Sequence, residues 1–156
     1  MTTRYLQGIS VEETKHLLAQ LKEEGSRDSK VRQLAELAII GREDQVAAVY
    51  KFVRDTFPYQ ADPENAELFI HPKKVAQDYF HGRIRRFDCD DFALLTSSML
   101  SSLGHETRIL LVEKHGPGLD HALAQVKTPM GWLSVDAVND KPMGWLENYK
   151  RVVPVP

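Results

Sequence analysis

Cysteine is almost missing from this chain: one residue in 156, Cys89. An internal disulfide needs two cysteines and a cysteine-based zinc site needs more, so both are excluded. The usage suits a reducing compartment. No apolar run approaches the roughly 20 residues that a membrane-spanning helix needs, and MTTRYLQGIS carries no apolar signal-peptide core. The expected location is therefore the cytoplasm, or a phage particle released by lysis. Net charge is also scarce: 20 Lys and Arg against 22 Asp and Glu leave −2. The cations form no stripe and no run, which argues against a nucleic-acid partner or an anionic membrane. Hydrophobic residues at 42% and charged residues at 27% are an ordinary globular balance, and the length suits one domain with a core of its own.

Helical periodicity fills the first two-thirds. Ser10 followed by Glu13 reads as a capping box, with Val11, Thr14, Leu17, Leu18 and Leu21 at helical spacing behind it and Gly25 as the expected stop. Gly25–Ser29 reads as a polar connector. Val31, Leu34, Leu37, Ala38 and Ile39 mark a second helix ended by Gly41. A third runs from about Glu43 to Phe57, where Pro58 stops it. Tyr59–Ile70 reads as an irregular loop. His71 marks its end, and a short helix begins with Pro72 at its first position and ends before Gly82. Arg83–Phe87 is a basic approach to a longer helix that opens near Cys89 and stops at Gly104. The texture then becomes β-branched and alternating. Thr107–Lys114, His121–Lys127 and Trp132–Val138 read as three strands, with turns at His115–Gly118 and Thr128–Gly131. The proline- and valine-rich tail is expected to pack along the surface. PMGWL occurs at Pro129–Leu133 and at Pro142–Leu146, and two short copies do not make a repeat architecture. Helices followed by a meander give an α+β class. The whole chain, 1–156, reads as one domain with a core over about 43–140 and additional helices in 1–41, for which packing is the plainest role.

Cys89 has a plain reading as a small packed hydrophobe. Its position supports another. The positive end of a helix favours a thiolate. A histidine beside it would supply and take protons, and a carboxylate behind that histidine would fix its tautomer. His121, at a strand start after a glycine-rich turn, is the best base. Asp136, on the next strand, is the best orienter. Counting about a turn centred near Met130 sets His121 opposite roughly residue 139, so a diagonal contact or a bulge is needed to bring Asp136 to it. His115 is the rival base. His16, His81 and His105 read as surface or cap residues, and Trp132 and Trp145 as packing. Asp88, Asp90 and Asp91 suit a cap and a first helical turn, though carboxylates so close oppose thiolate formation, and Arg83, Arg85 or Arg86 could offset them. They lack the spacing of a calcium loop, so no metal and no cofactor are expected.

The stretch DCDDFALLTSSMLSSLGHETRILLVEKHGPGLDHALAQVKTPMGWLSVD, Asp88–Asp136, resembles the core of the transglutaminase-like superfamily. A cysteine opens a helix in an acidic run, the helix ends in Leu103–Gly104, a histidine begins a strand, and an aspartate follows Gly131–Trp132. Ala47–Asp62 is similar to the lead-in of that core. The resemblance implies a papain-like α+β fold of the small bacterial or phage type. It implies a Cys89–His121–Asp136 triad for acyl transfer, meaning transamidation or amide hydrolysis on a protein or peptide substrate. The family's oxyanion-stabilising side chain has three conceivable counterparts in Tyr59, Gln77 and Tyr79, and the Cys89 backbone N–H, at a helix start, is preferred to them as the donor. A second reading of a different class keeps the fold without the chemistry: a catalytically idle protein-binding module, such as a phage structural or assembly factor.

Overall fold

The computed structural model describes residues 3–6, 10–61, 67–138 and 142–156. Residues 62–66 of the expected loop and the 139–140 end of the expected core lie outside them. In chain order the elements are β1 (Thr3–Leu6), α1 (Val11–Arg27), α2 (Ser29–Ala38), α3 (Gln45–Thr56), β2 (Glu67–Ile70), α4 (Pro72–Phe80), α5 (Cys89–Ser102), β3 (Thr107–Val112), β4 (His121–Thr128), β5 (Gly131–Val135) and β6 (Val152–Val155). The strands form an antiparallel β1–β2 ribbon and a sheet ordered β5-β4-β3-β6. The α+β class expected from the sequence is the class observed. No helix among the described residues is long and apolar enough to cross a membrane.

α5 is the axis of the molecule. Phe92, Leu94, Leu95, Met99 and Leu100 are almost fully buried, and so are Thr96, Ser97 and Ser98 between them. A helix apolar nearly all round is a core helix. The serines suit it because they are small and satisfy themselves: Ser97 Oγ donates to the Ala93 carbonyl at 2.7 Å and Ser102 Oγ to that of Met99 at 2.6 Å. α1, α2, α3 and α4 all pack against α5. Ile109, Leu111 and Ala122 of the sheet close the same core with Leu17, Leu18 and Leu94. Val31, Leu34 and Ala35 of α2 belong to the main core, so the second helix is built into the fold.

Three local expectations need correction. Gly25 is no stop: α1 continues to Arg27, and the polar connector shrinks to Asp28, which ends α1 and caps α2 through hydrogen bonds from the Lys30 and Val31 N–H groups at 2.9 and 3.1 Å. Gly25 is instead a packing glycine. A Cβ there would sit 2.7 Å from Ser98 Oγ and 2.9 Å from Pro72 Cγ, so it marks where α1 approaches α5 and α4 most closely. Gly25→Ala is therefore expected to destabilise despite about 1 kcal/mol of helix propensity gained, because overpacking costs about 1–3 kcal/mol; a lower thermal midpoint is the check, and a higher one would contradict the close approach. The loop 59–70 ends in a strand, β2, paired with β1. His71 does more than mark that end, since its Nδ1 caps α4 by accepting the Lys73 N–H at 3.0 Å. The tail supplies β6, which pairs with β3 from Ile109–Val155 to Val112–Val152 and covers a sheet edge that would otherwise be open.

Candidate active site

Cys89 is the first residue of α5. Asp88 caps the helix: its Oδ1 accepts the Asp91 N–H, and Asp91 Oδ2 accepts the Asp88 N–H, both at 3.2 Å. Asp91 Oδ1 also accepts the Ile70 N–H at 3.0 Å. The turn that presents the thiol is thereby tied to β2. The approach segment is held as well. Phe87 exchanges backbone hydrogen bonds with Pro58 and Gln60 at 2.9 and 2.6 Å. Arg85 reaches back to the buried Asp78 carboxylate at 2.7 Å, which Lys74 meets at 3.2 Å. Burial pushes the Asp78 carboxyl up, but these two cations outweigh it and hold it below the ordinary range.

The hairpin that carries the other two groups closes on the pair Thr128–Gly131. Its ladder stops at Ala124–Val135, so β4 outruns β5 by His121, Ala122 and Leu123. Asp136 leaves the strand at that point, and its carboxylate turns back to the imidazole. His121 Nε2–H donates to Asp136 Oδ2 at 2.8 Å, and both residues are buried, 8% and 7% exposed. The Val138 N–H holds the second oxygen, Oδ1, at 3.2 Å. A carboxylate can only accept, so the proton sits on Nε2 and Nδ1 is left for other partners.

The end of β4 is fixed from the loop side by Asp120. Its carboxylate accepts the N–H groups of Lys114, His115 and Gly116 at 2.7, 2.8 and 3.1 Å, and its own N–H donates to the Val112 carbonyl, opposite His121 in the register. Partial burial pushes that carboxyl up, and the N–H donors bring it below the usual range. The rival histidine belongs to this loop: His115 is exposed, and its ring lies 3.6 Å from Asp120.

The Cys89 thiol lies half-buried against the apolar cluster that includes Ala122. Burial pushes its pKa well above the ordinary thiol value, the charges of Asp90 and Asp88 add to this, the Ala122 N–H directed at the sulfur opposes it, and Asp136 raises it slightly further. The Ala122 N–H was not legible in the sequence, because it depends on where β5 stops pairing.

Of the three side chains weighed for the oxyanion, Tyr79 is packed edge-on against Phe52 and Phe80, with ring centroids at 5.7 and 5.5 Å. Gln77 sits on α4. Tyr59 is 55% exposed, and its backbone bridges Phe87, two residues before the thiol. As the first helical residue, Cys89 has one of the N–H groups that a helix leaves without an internal partner. Trp132 lies on the sheet between the Arg108 and Lys127 cations, 4.2 and 5.2 Å from the ring centroid, the packing role expected of it. Among the described residues no group of three or more His, Cys, Asp or Glu side chains is arranged to hold a metal ion.

No curated protein matches the chain. Solved structures that share its fold include two described as proteases. One is described as a "Putative Cysteine Protease" from Cytophaga hutchinsonii: 17% identity, TM-score 0.53, over 88% of this chain and 49% of that one. The other is described as a "putative protease" from Parabacteroides distasonis: 13% identity, TM-score 0.54, over 82% of this chain and 26% of that one. The chain thus spans about half and about a quarter of their lengths, and at these identities the likeness is one of fold. The sequence model of the transglutaminase-like superfamily matches residues 30–137, from α2 to just past Asp136. With well over half its length matched, the chain belongs to the transglutaminase-like superfamily.

Proposed function

We propose that the chain is a cysteine enzyme that performs acyl transfer or hydrolysis at amide or peptide bonds, with Cys89 as nucleophile, His121 as base and acid, and Asp136 as orienter. The observation that carries this reading is the buried 2.8 Å bond from His121 Nε2–H to Asp136. It leaves Nδ1 as the nitrogen for proton exchange with a thiol. Burial and acidic neighbours push the thiol up, which supports reading His121 as a general base at the moment of attack rather than as one half of a standing ion pair. The sulfur bonds to the carbonyl carbon as its proton passes to Nδ1. The C–N bond then breaks, and the amine leaves with that proton. Water, or a second amine, attacks the thioester carbonyl and yields a proton to His121 Nδ1; the C–S bond then breaks, and Nδ1 returns that proton to the sulfur. The Cys89 N–H, at the start of α5, is the donor for the oxyanion.

The test is alkylation of the single cysteine by iodoacetamide in the folded protein, followed by mass spectrometry. At neutral pH the native chain is expected to react about 10²-fold faster than His121→Ala, the lower end of what a positioned base supplies. Cys89→Ala is expected to take up no label. Equal rates in the native chain and His121→Ala would remove the base from the reaction. The raised thiol favours one second reading, the catalytically idle protein-binding module. For that module the label enters only after unfolding.

A further inference from the structure

His121 and Asp136 lie at the frayed end of a hairpin, past the last β4–β5 pair, yet both are buried. Val112 of β3 flanks His121 on one side, and the remaining cover comes from outside the β4–β5 ladder. The family match ends at residue 137, and the tail beyond it returns along the sheet to form β6. On the way, Gly144 N–H donates to the Ser134 carbonyl at 2.8 Å, and Tyr149 packs against Leu110, Val112 and Leu123. Val112 is the register partner of His121, and Leu123 is two residues along the same strand. A cross-strand partner and an i+2 neighbour lie on one face of a sheet, so Tyr149 sits on the patch that flanks the imidazole.

We infer that Tyr149 is a positioning residue of this site: its ring closes the solvent side of the His121–Asp136 pair, deepening the reading of that pair as the working base. Three observations meet here. The pair is buried where β5 no longer flanks β4, with only Val112 of β3 beside His121. The ring is seated on the two residues that flank His121. The Asp136 carboxylate is also among the groups that act on the phenol: burial first, then Glu147 and Asp136, push Tyr149 up to about 12, so at neutral pH it brings no second negative charge to the dyad. A dry environment strengthens the bond between imidazole and carboxylate and slows exchange of the Nε2 proton with water.

The test reads that proton directly by NMR in the full chain with 15N-labelled histidine. The native protein is expected to show an exchange-protected Nε2–H resonance, assigned by its loss in His121→Gln. Tyr149→Phe keeps the ring and is expected to keep the resonance. Tyr149→Ala is expected to lose it to exchange while the β3–β6 amides stay protected. Tyr149→Leu keeps an apolar contact without the ring; it is expected to lose the resonance too, and it decides the matter if the alanine variant does not fold. No protected resonance in the native chain, a resonance that survives in Tyr149→Ala or Tyr149→Leu, or one lost in Tyr149→Phe would each overturn the inference. The readout needs no turnover. A protected proton together with an inert Cys89 would remove the enzyme and leave the shield standing.

Discussion

Asp136→Asn is expected to lower the rate of p-nitrophenyl acetate cleavage by about 10³–10⁴-fold, the scale of a base locked in the wrong tautomer, with little change in fold. The two oxygens of Asp136 have different duties. Oδ1 accepts the Val138 N–H at 3.2 Å and Oδ2 accepts the His121 Nε2–H at 2.8 Å. Asparagine has one oxygen. If it stays with Val138, the amide NH₂ faces Nε2, which must then become an acceptor, and the ring proton moves to Nδ1. An imidazole with its proton on Nδ1 cannot take a proton from the sulfur. If the amide flips instead, the NH₂ meets the Val138 N–H, donor against donor, and a buried hydrogen bond is lost at a cost of about 1–3 kcal/mol. The first arrangement is the cheaper one, so the variant is expected to keep its fold and to lose the base proposed for Cys89. Turnover within a few-fold of the native chain would deny Asp136 its orienting role, whereas collapse of the fold would point to the Val138 bond as the larger duty.

The parts of this site legible in the sequence are those that local chemistry decides. An acidic residue before a helical run makes a cap wherever it occurs, so Asp88 and the start of α5 could be read from the residues alone. The same holds for Pro72 in the first turn of α4. Gly25 misleads because glycine has two uses that look alike in a sequence. It can end a helix by adopting a positive φ, as Gly104 does at 97° after α5, or it can let another chain come close, as it does against Ser98 and Pro72. Only the partner element distinguishes the two. β2 and β6 were missed for a related reason. Each is 4 residues long, each is paired with a strand far away in the chain, and neither has a period long enough to register. The His121–Asp136 bond was half legible. Counting brought the two residues to the same end of the hairpin. The contact itself depends on Asp136 leaving the ladder after Val135, a choice that the Val138 N–H and the imidazole make together.

Asp91→Ala is expected to cost about 3–5 kcal/mol of stability, near the top of the range for single substitutions. Asp91 is 3% exposed, and its two oxygens serve two backbone donors from different parts of the chain, Ile70 N–H at 3.0 Å and Asp88 N–H at 3.2 Å. Alanine leaves both buried donors without that partner, at about 1–3 kcal/mol each, and it breaks the reciprocal cap of α5, worth about 1 kcal/mol. The terms overlap at Asp88, so they do not simply add. Asp91→Asn separates geometry from charge: one oxygen can satisfy one donor, and the NH₂ then faces the other. Asparagine is therefore expected to fall between alanine and the native chain in urea unfolding, with an unchanged dependence on denaturant. Because Asp88 and Asp91 together fix the turn that presents Cys89, the alanine variant is also expected to admit iodoacetamide to the thiol through local opening of that turn, with no requirement for His121. A variant as stable as the native chain would mean that the N–H groups of Ile70 and Asp88 find other acceptors, and that the helix start bearing the thiol is held by packing alone.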